Sequence, residues 1–315
     1  SVFPDKPASY SSLNRLILDS NPLQSLPNFV KSAPLKFLSV DSCGLSSLPS
    51  DASNNLSSLT ELSLSNNQLS ALPDLSGWTA LHRLKVSNNC LASIPASIRF
   101  LTSLVELSLS GNAITDAPVE LGVLTNLTYL HLGDSFAGEI PQEILRHGGV
   151  ASVLAYLNKL KEARTTQDFD LRHLGLKHVP YVVKSIQGLR KLSLDGNLIS
   201  MLPLWLCDML SLSEISLLLC PITSLPVALA RLSNLTNLRL PPGGILFPPP
   251  ATVAAGTRSI LNYLSSILQH RDSGICALNG MGLVEIPVEL CRCDFITHLD
   301  LRNNSIEQIP PEIAM

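Results

Sequence analysis

Arg83, Lys85, Glu106, Tyr129 and His131 occupy matched places in three successive stretches of this chain, so stacking those stretches as strands gathers them on one face. A guanidinium, an ammonium, a carboxylate, a phenol and an imidazole together suit recognition, because Arg and Tyr anchor protein interfaces. Asp168, Asp170, Arg172, Arg190 and Lys191 form a second set of the same character. His131 would have the reach of a general base, but the pattern sets no nucleophile or paired carboxylate beside it. The sequence has no Gly-x-x-x-x-Gly-Lys-Ser/Thr phosphate loop, no His-Glu-x-x-His and no Gly-x-Ser-x-Gly elbow. Cys276, Cys291 and Cys293 are close in sequence but lack a Cys-x-x-Cys pair and a fourth ligand, which argues against zinc. Gly148-Gly149 fits entry into a helix as well as it fits an anion nest. The expected chemistry is binding without turnover, with no cofactor and no metal.

What positions those side chains is a lattice of leucines. Its cleanest copy is Leu59, Leu62, Leu64, Asn67, Leu69, Leu72, Pro73, and copies beginning at Leu13, Leu35, Leu59, Leu81, Leu104 and Leu127 recur every 22 to 24 residues. A fixed period of that length means stacked supersecondary units. Alternation about Leu62 and Leu64 predicts a short strand buried on one side. The inward amide of Asn67 must satisfy backbone groups at the turn, and Asn21, Asn89, Asn112, Asn197 and Asn304 repeat it, with Cys43, Ser135 and Cys220 in the same slot elsewhere. Leu-Pro pairs such as Leu72-Pro73 and Leu202-Pro203 turn the chain outward, because proline cannot donate a ladder hydrogen bond. No repeat hides its apolar face alone, so stability must come from neighbours.

These spacings resemble the leucine-rich repeat family over almost the whole chain. The resemblance implies an α/β solenoid, a curved horseshoe with a parallel sheet on its concave side, here of about twelve repeats with two inserted helices. Strands spaced about 4.8 Å apart would give a concave ribbon about 50 Å long, wide enough for a partner protein's face. The residues between the last two strand leucines run Ile17, Ser39, Ser63, Lys85, Ser108, His131, Asp170, Ser193, Ser216, Arg239, Ala277, Asp300. Much of that column is small and bland. Beside it runs a richer one: Arg15, Phe37, Glu61, Arg83, Glu106, Tyr129, Asp168, Lys191, Glu214, Asn237, Ile275, His298.

Two matching segments interrupt the lattice, Gly149-Val-Ala-Ser-Val-Leu-Ala-Tyr-Leu157 and Gly256-Thr-Arg-Ser-Ile-Leu-Asn-Tyr-Leu264. Val150, Val153, Leu154, Leu157 and Leu160 are spaced for one face of a helix, as are Ile260, Leu261, Leu264, Ile267 and Leu268. Lys159, Lys161, Glu162 and Arg164 fall on the wet side. The reading is three blocks: residues 1–165 with a closing helix at 149–163, residues 166–271 with a closing helix at 256–270, and the start of a third over 272–315. Leu174 and Met281 replace the slot Asn where new blocks open, and Gly243 replaces it where the second closes. The helices are expected to plug block ends, though a dimer contact or hinge is an alternative. A chain stopping inside a repeat at Met315 suggests a fragment. The closing helix resembles intracellular scaffold-type members of the family, including the arrays of Roco proteins and relatives of Ras-group repeat proteins, which implies a small GTPase or another signalling protein as partner.

Composition fits a leucine-built core, with 45% apolar and only 5% aromatic residues. A net charge of −3 and a pI near 6.1 give no basic face for nucleic acid. No apolar run reaches the length of a membrane span, and no signal-peptide pattern opens the sequence. Seven scattered cysteines read as buried free thiols of a reducing, cytoplasmic setting. Four sequons, at Asn55, Asn126, Asn234 and Asn303, point the other way, but the repeat consensus generates two of them. The expected function is a non-enzymatic protein-interaction scaffold using Arg83, Lys85, Glu106, Tyr129, His131, Arg172 and Lys191. The alternatives are a targeting or regulatory domain of an enzyme, of Roco GTPase-kinase or ubiquitin-ligase type, and a receptor ectodomain.

Overall fold

A computed structural model describes residues 11–27, 30, 33–52, 56–115, 118–133, 140–269, 274–280, 283, 286 and 296–309. Ser135, Met281, Cys291, Cys293 and the Asn55 sequon, like the close at Pro310–Met315, lie outside the described residues. The chain forms two compact units, Ser1–Lys161 and Glu162–Met315.

The first unit carries a six-stranded parallel sheet in chain order, β1 (Arg15–Ile17), β2 (Phe37–Ser39), β3 (Glu61–Ser63), β4 (Arg83–Lys85), β5 (Glu106–Ser108) and β6 (Tyr129–His131). The second carries β7 (Asp168–Asp170), β8 (Lys191–Ser193), β9 (Glu214–Ser216) and β10 (Asn237–Arg239) in one sheet, and β11 (Ile275–Ala277) with β12 (His298–Asp300) in another. The registers are those of the two sequence columns: Arg15, Phe37, Glu61, Arg83, Glu106 and Tyr129 pair in series, and Lys85 faces Ser108. The twelve described strands fall in sheets of six, four and two, divided where the inserted helices lie. The inserted helices take up the chain between β6 and β7 and between β10 and β11, where a further strand would otherwise be built.

Each coil returns through a short outer segment set up by its Leu-Pro pair. Proline fixes its own φ near −70°, as at Pro203 and Pro226, and a 3-10 turn follows at once over Leu204–Asp208 or Val227–Arg231; Pro118, which follows an alanine, opens the turn Val119–Val123 in the same way. Between strand and turn lies a core of leucines, with Leu59, Leu64, Leu69, Leu104 and Leu107 fully buried. Trp78 is enclosed among them, its Nε1 donating to Ala52 O at 3.4 Å.

The asparagine slot stitches each coil to the one before it. Asn67 Nδ2 donates to Val40 O and Leu64 O at 2.9 Å, while its Oδ1 accepts from the amides of Cys43 and Leu45 at 3.0 Å. Asn197 repeats all four bonds. Leu174, where the slot lacks an amide, is served by the Oδ1 of the following repeat's Asn197. Cys43 and Cys220 supply only the donor half, through Sγ to Leu18 O and Leu194 O. Asn21 is exposed and donates to Leu18 O and Asp19 O within its own turn.

The insertions each contain a short helix and a longer one: α1 (Gln142–His147) and α2 (Gly149–Thr166), then α3 (Pro250–Ala254) and α4 (Thr257–Gln269). α2 runs past the expected end at 163, because the Thr165 and Thr166 hydroxyls both satisfy Glu162 O and Gln167, at φ 61°, closes the helix by donating to Ala163 O. Its buried face is Val153, Leu154, Tyr156, Leu157, Leu160 and Ala163, with Val150 only half-buried. On α4 the buried residues are Ile260, Tyr263, Leu264 and Ile267, whereas Leu261 and Leu268 stay half-buried. In each helix a tyrosine replaces an aliphatic position in the expected stripe, because its ring reaches the core beneath. Tyr263 meets Phe247 edge-on with ring centroids 5.9 Å apart.

Within the first unit α2 is tied to the turn Val119–Val123, where Asn158 Nδ2 donates to Gly122 O at 2.7 Å. In the second unit α4 packs on the turn Val227–Arg231, and Thr257 Oγ1 accepts from Leu238 N at 2.9 Å. Each helix thus covers the outer segment of the last complete coil in its sheet, and solenoid ends require such a cover.

Candidate functional site

Period-two alternation turns the leucines of β4, β5 and β6 inward and leaves Arg83, Lys85, Glu106, Tyr129 and His131 on the open face. Glu106 is the centre of the group. Its Oε1 lies 3.2 Å from Lys85 Nζ and its Oε2 3.5 Å from Arg83 Nε, and Arg83 Nη1 also pairs with Glu61 Oε1. Arg83 and Lys85 are about half exposed, so the pairs are worth about 0–1 kcal/mol each and serve to hold the charges in place. Tyr129 is directly opposite Glu106 in the ladder and 61% exposed, and His131 is exposed opposite Ser108. The structure brings all five into one patch on three adjacent strands.

The second set is divided. Arg172 folds back on Asp170 of its own repeat in a two-pronged pair, Nε to Oδ1 at 2.9 Å and Nη2 to Oδ2 at 2.8 Å, and this bonding raises the guanidinium pKa. Lys191 instead joins Glu214 at 3.9 Å, whose other oxygen is 3.6 Å from Arg239 Nη2. Glu214 and Arg239, absent from the sequence-derived site, therefore belong with Lys191, and Arg172 is a local brace.

The bland serine column has a structural role that spacing alone did not reveal. Ser39, Ser63 and Ser216 donate to Asp19, Asp41 and Asp195 of the preceding repeat at 2.6 to 2.7 Å, and the same carboxylates accept the amides of Asp41, Ser65 and Leu218. A carboxylate directly after the second strand leucine, followed one repeat later by a strand serine, is the signal that would have found it. Near the first strand, Arg15 stacks over Phe37 at 3.6 Å.

Two of the four sequons, at Asn126 and Asn234, are engaged in the same stacking. Asn126 and Asn234 donate to Thr102 O and Leu210 O at 2.8 Å, and Thr128 and Thr236 donate to Val105 O and Ser213 O. Among the described residues no group of His, Cys, Asp and Glu has metal-binding geometry, and no helix is long and apolar enough to cross a membrane.

A leucine-rich repeat protein of Leptospira interrogans is 23% identical over 96% of this chain and 76% of its own, with a TM-score of 0.28. A chain of the octameric complex of Latrophilin 3, Unc5D and FLRT2, in which FLRT2 is described by its leucine-rich repeats, is 24% identical over 73% of this chain and 61% of its own, with a TM-score of 0.32. No curated protein matches. The family described as leucine-rich repeat region matches residues 13–245, and a further leucine-rich repeat match covers residues 295–315. With that match over most of its length, and with parallel strands stacked in the registers described, the chain belongs to the leucine-rich repeat family, whose repeats are protein-interaction modules.

Proposed function

We propose that this chain is a non-enzymatic, cytoplasmic scaffold that binds a protein partner, of the small-GTPase or other signalling kind, on the open face of β1–β6. The observation that carries the reading is Tyr129. A large ring left 61% exposed stands beside a carboxylate that already holds Arg83 and Lys85 in place. Preset charges lose little conformational entropy on binding, and an exposed aromatic next to them supplies the desolvated anchor around which interfaces concentrate their energy. Lys191, Glu214 and Arg239 offer a smaller patch on the open face of β7–β10. The bracing of Asn126 and Asn234 against neighbouring carbonyls supports reading them as stacking residues, not glycan acceptors.

The test replaces Arg83 and Tyr129 together with Ala and recovers partners from cell lysate by affinity capture with mass spectrometry. Loss of the specific partner at an unchanged melting temperature supports the site; unchanged recovery removes it.

A further inference from the structure

A second surface of the second unit departs from the rest of the repeats. Counting from the slot asparagine, the first, fourth and seventh following positions point to solvent on the outgoing side of the coil. In the repeats after Asn67 and Asn89 they are Gln68, Ala71, Asp74 and Cys90, Ser93, Ala96. After Asn197 they are Leu198, Met201 and Leu204, exposed by 57%, 64% and 67%. Single exposed apolar residues are ordinary, but one repeat carrying a large one at every outward position is a patch. One repeat further on, Leu219 is 73% exposed and holds φ 61°, a conformation that elsewhere in this column falls to Ser20, Ser42, Asn66, Asn88, Gly111, His173, Gly196, Gly280 and Asn303, none of them aliphatic. A polar side chain can hydrogen-bond locally in that region and leucine cannot, so folding alone gives no reason for leucine there.

The flank of the patch is basic. Lys177 and Lys184, both exposed, belong to the preceding repeat, and Lys184 Nζ lies 5.5 Å over the ring of Tyr181, which is itself exposed. Neither lysine has a carboxylate within ion-pair distance among the described residues. We propose that this edge docks an amphipathic segment of another protein, its apolar face on Leu198, Met201 and Leu204 and its acidic flank against Lys177 and Lys184. A two-fold axis through this edge would bring its lysines close to their own counterparts, which disfavours self-association centred there. Two lysines on a chain of net charge −3 also fall short of the clustered basic charge that holds proteins to anionic lipid. A segment carrying leucines on one face and glutamates beside them meets both features.

The probe is a labelled synthetic helical peptide with a leucine stripe flanked by glutamates, compared by fluorescence anisotropy with the same peptide bearing lysines in place of the glutamates. The proposal requires the glutamate peptide to bind more tightly, Leu204→Asp to weaken it about tenfold or more, and Lys177→Glu with Lys184→Glu to reverse the preference. Because all these side chains are exposed, the charge-reversal variant carries the test even if Leu204→Asp misfolds. Equal binding of both peptides, or of neither, overturns it. Self-association of the wild type that Leu204→Asp abolishes would overturn it in favour of a second copy, and cosedimentation with phosphatidylserine vesicles that the same change abolishes would overturn it in favour of lipid.

Discussion

Asn158, midway along α2, donates its Nδ2 to the carbonyl oxygen of Gly122 at 2.7 Å, and a Cβ placed on Gly122 would lie 2.5 Å from Asn158 Oδ1 and 2.9 Å from its backbone nitrogen. Glycine is required there by the closeness of the helix and not by its own backbone angles. Gly122→Ala is therefore expected to push α2 off the turn beneath it and to cost about 1–3 kcal/mol, as overpacking does. Hydrogen exchange should show the amides of α2 opening while those of β2 to β4 stay protected. Asn158→Ala removes one hydrogen bond and should cost only about 1 kcal/mol. Combining the two should recover only part of the loss, because the helix backbone remains in the way.

The asparagine slot gives a graded test. Asn197 is buried and makes four bonds, two as donor to Leu171 O and Leu194 O and two as acceptor from Leu174 and Leu176. Asn197→Ala should destabilise the second unit by about 2–4 kcal/mol, since buried backbone groups of two repeats lose their partners together. Asn197→Cys should cost less, because Cys220 in the next repeat shows that a thiol can keep the donor half. Urea midpoints rank the two variants, and an alanine protein as stable as the cysteine one would refute the assignment.

These two positions also mark how much of the fold the sequence discloses. Leucine spacing predicts the strands and their register, because a one-residue slip would turn every leucine to solvent, and the slot asparagines stand out because a turn amide recurs at one period. Gly122 is invisible in sequence, since its constraint comes from a helix 36 residues away. The helix faces are misjudged at Tyr156 and Tyr263 for a related reason: an aliphatic stripe ignores an aromatic whose ring bridges to the core. At the candidate site, adjacency in the ladder brings Arg83, Glu106 and Tyr129 together as the columns imply. Column position does not foretell that Arg172 turns back on Asp170, because that choice is made two residues away on its own strand.

Asp300 offers a reading by pH. The Arg302 side chain, with its backbone amide, holds the Asp300 carboxyl down to about 2, against the ordinary 3.8. A carboxyl depressed in the folded state contributes stability above its unfolded value and loses it as pH falls through about 2. A carbon-detected NMR titration should place the Asp300 midpoint near 2 while the fold persists. Arg302→Gln should return it to the ordinary carboxylate range, and a midpoint already there in the wild type would contradict the pairing.

The thiols should react in an order set by burial. Cys90 is exposed, whereas Cys43, Cys207, Cys220 and Cys276 are buried. Burial first, and then the charge of Asp208, pushes the Cys207 thiol from 9.0 to about 11. It stays neutral and unreactive through neutral pH, because the thiolate is the nucleophile. A thiol raised in the folded state contributes stability below its unfolded value and loses it as pH rises through about 11, so alkali rather than acid should expose it. Iodoacetamide at neutral pH should label the exposed Cys90 in the folded protein. It should leave Cys207 unmodified until urea opens the second unit, and the two events should share one midpoint. Labelling of Cys207 well before that midpoint would mean that the turn Leu204–Asp208 opens independently of the sheet it is stacked on.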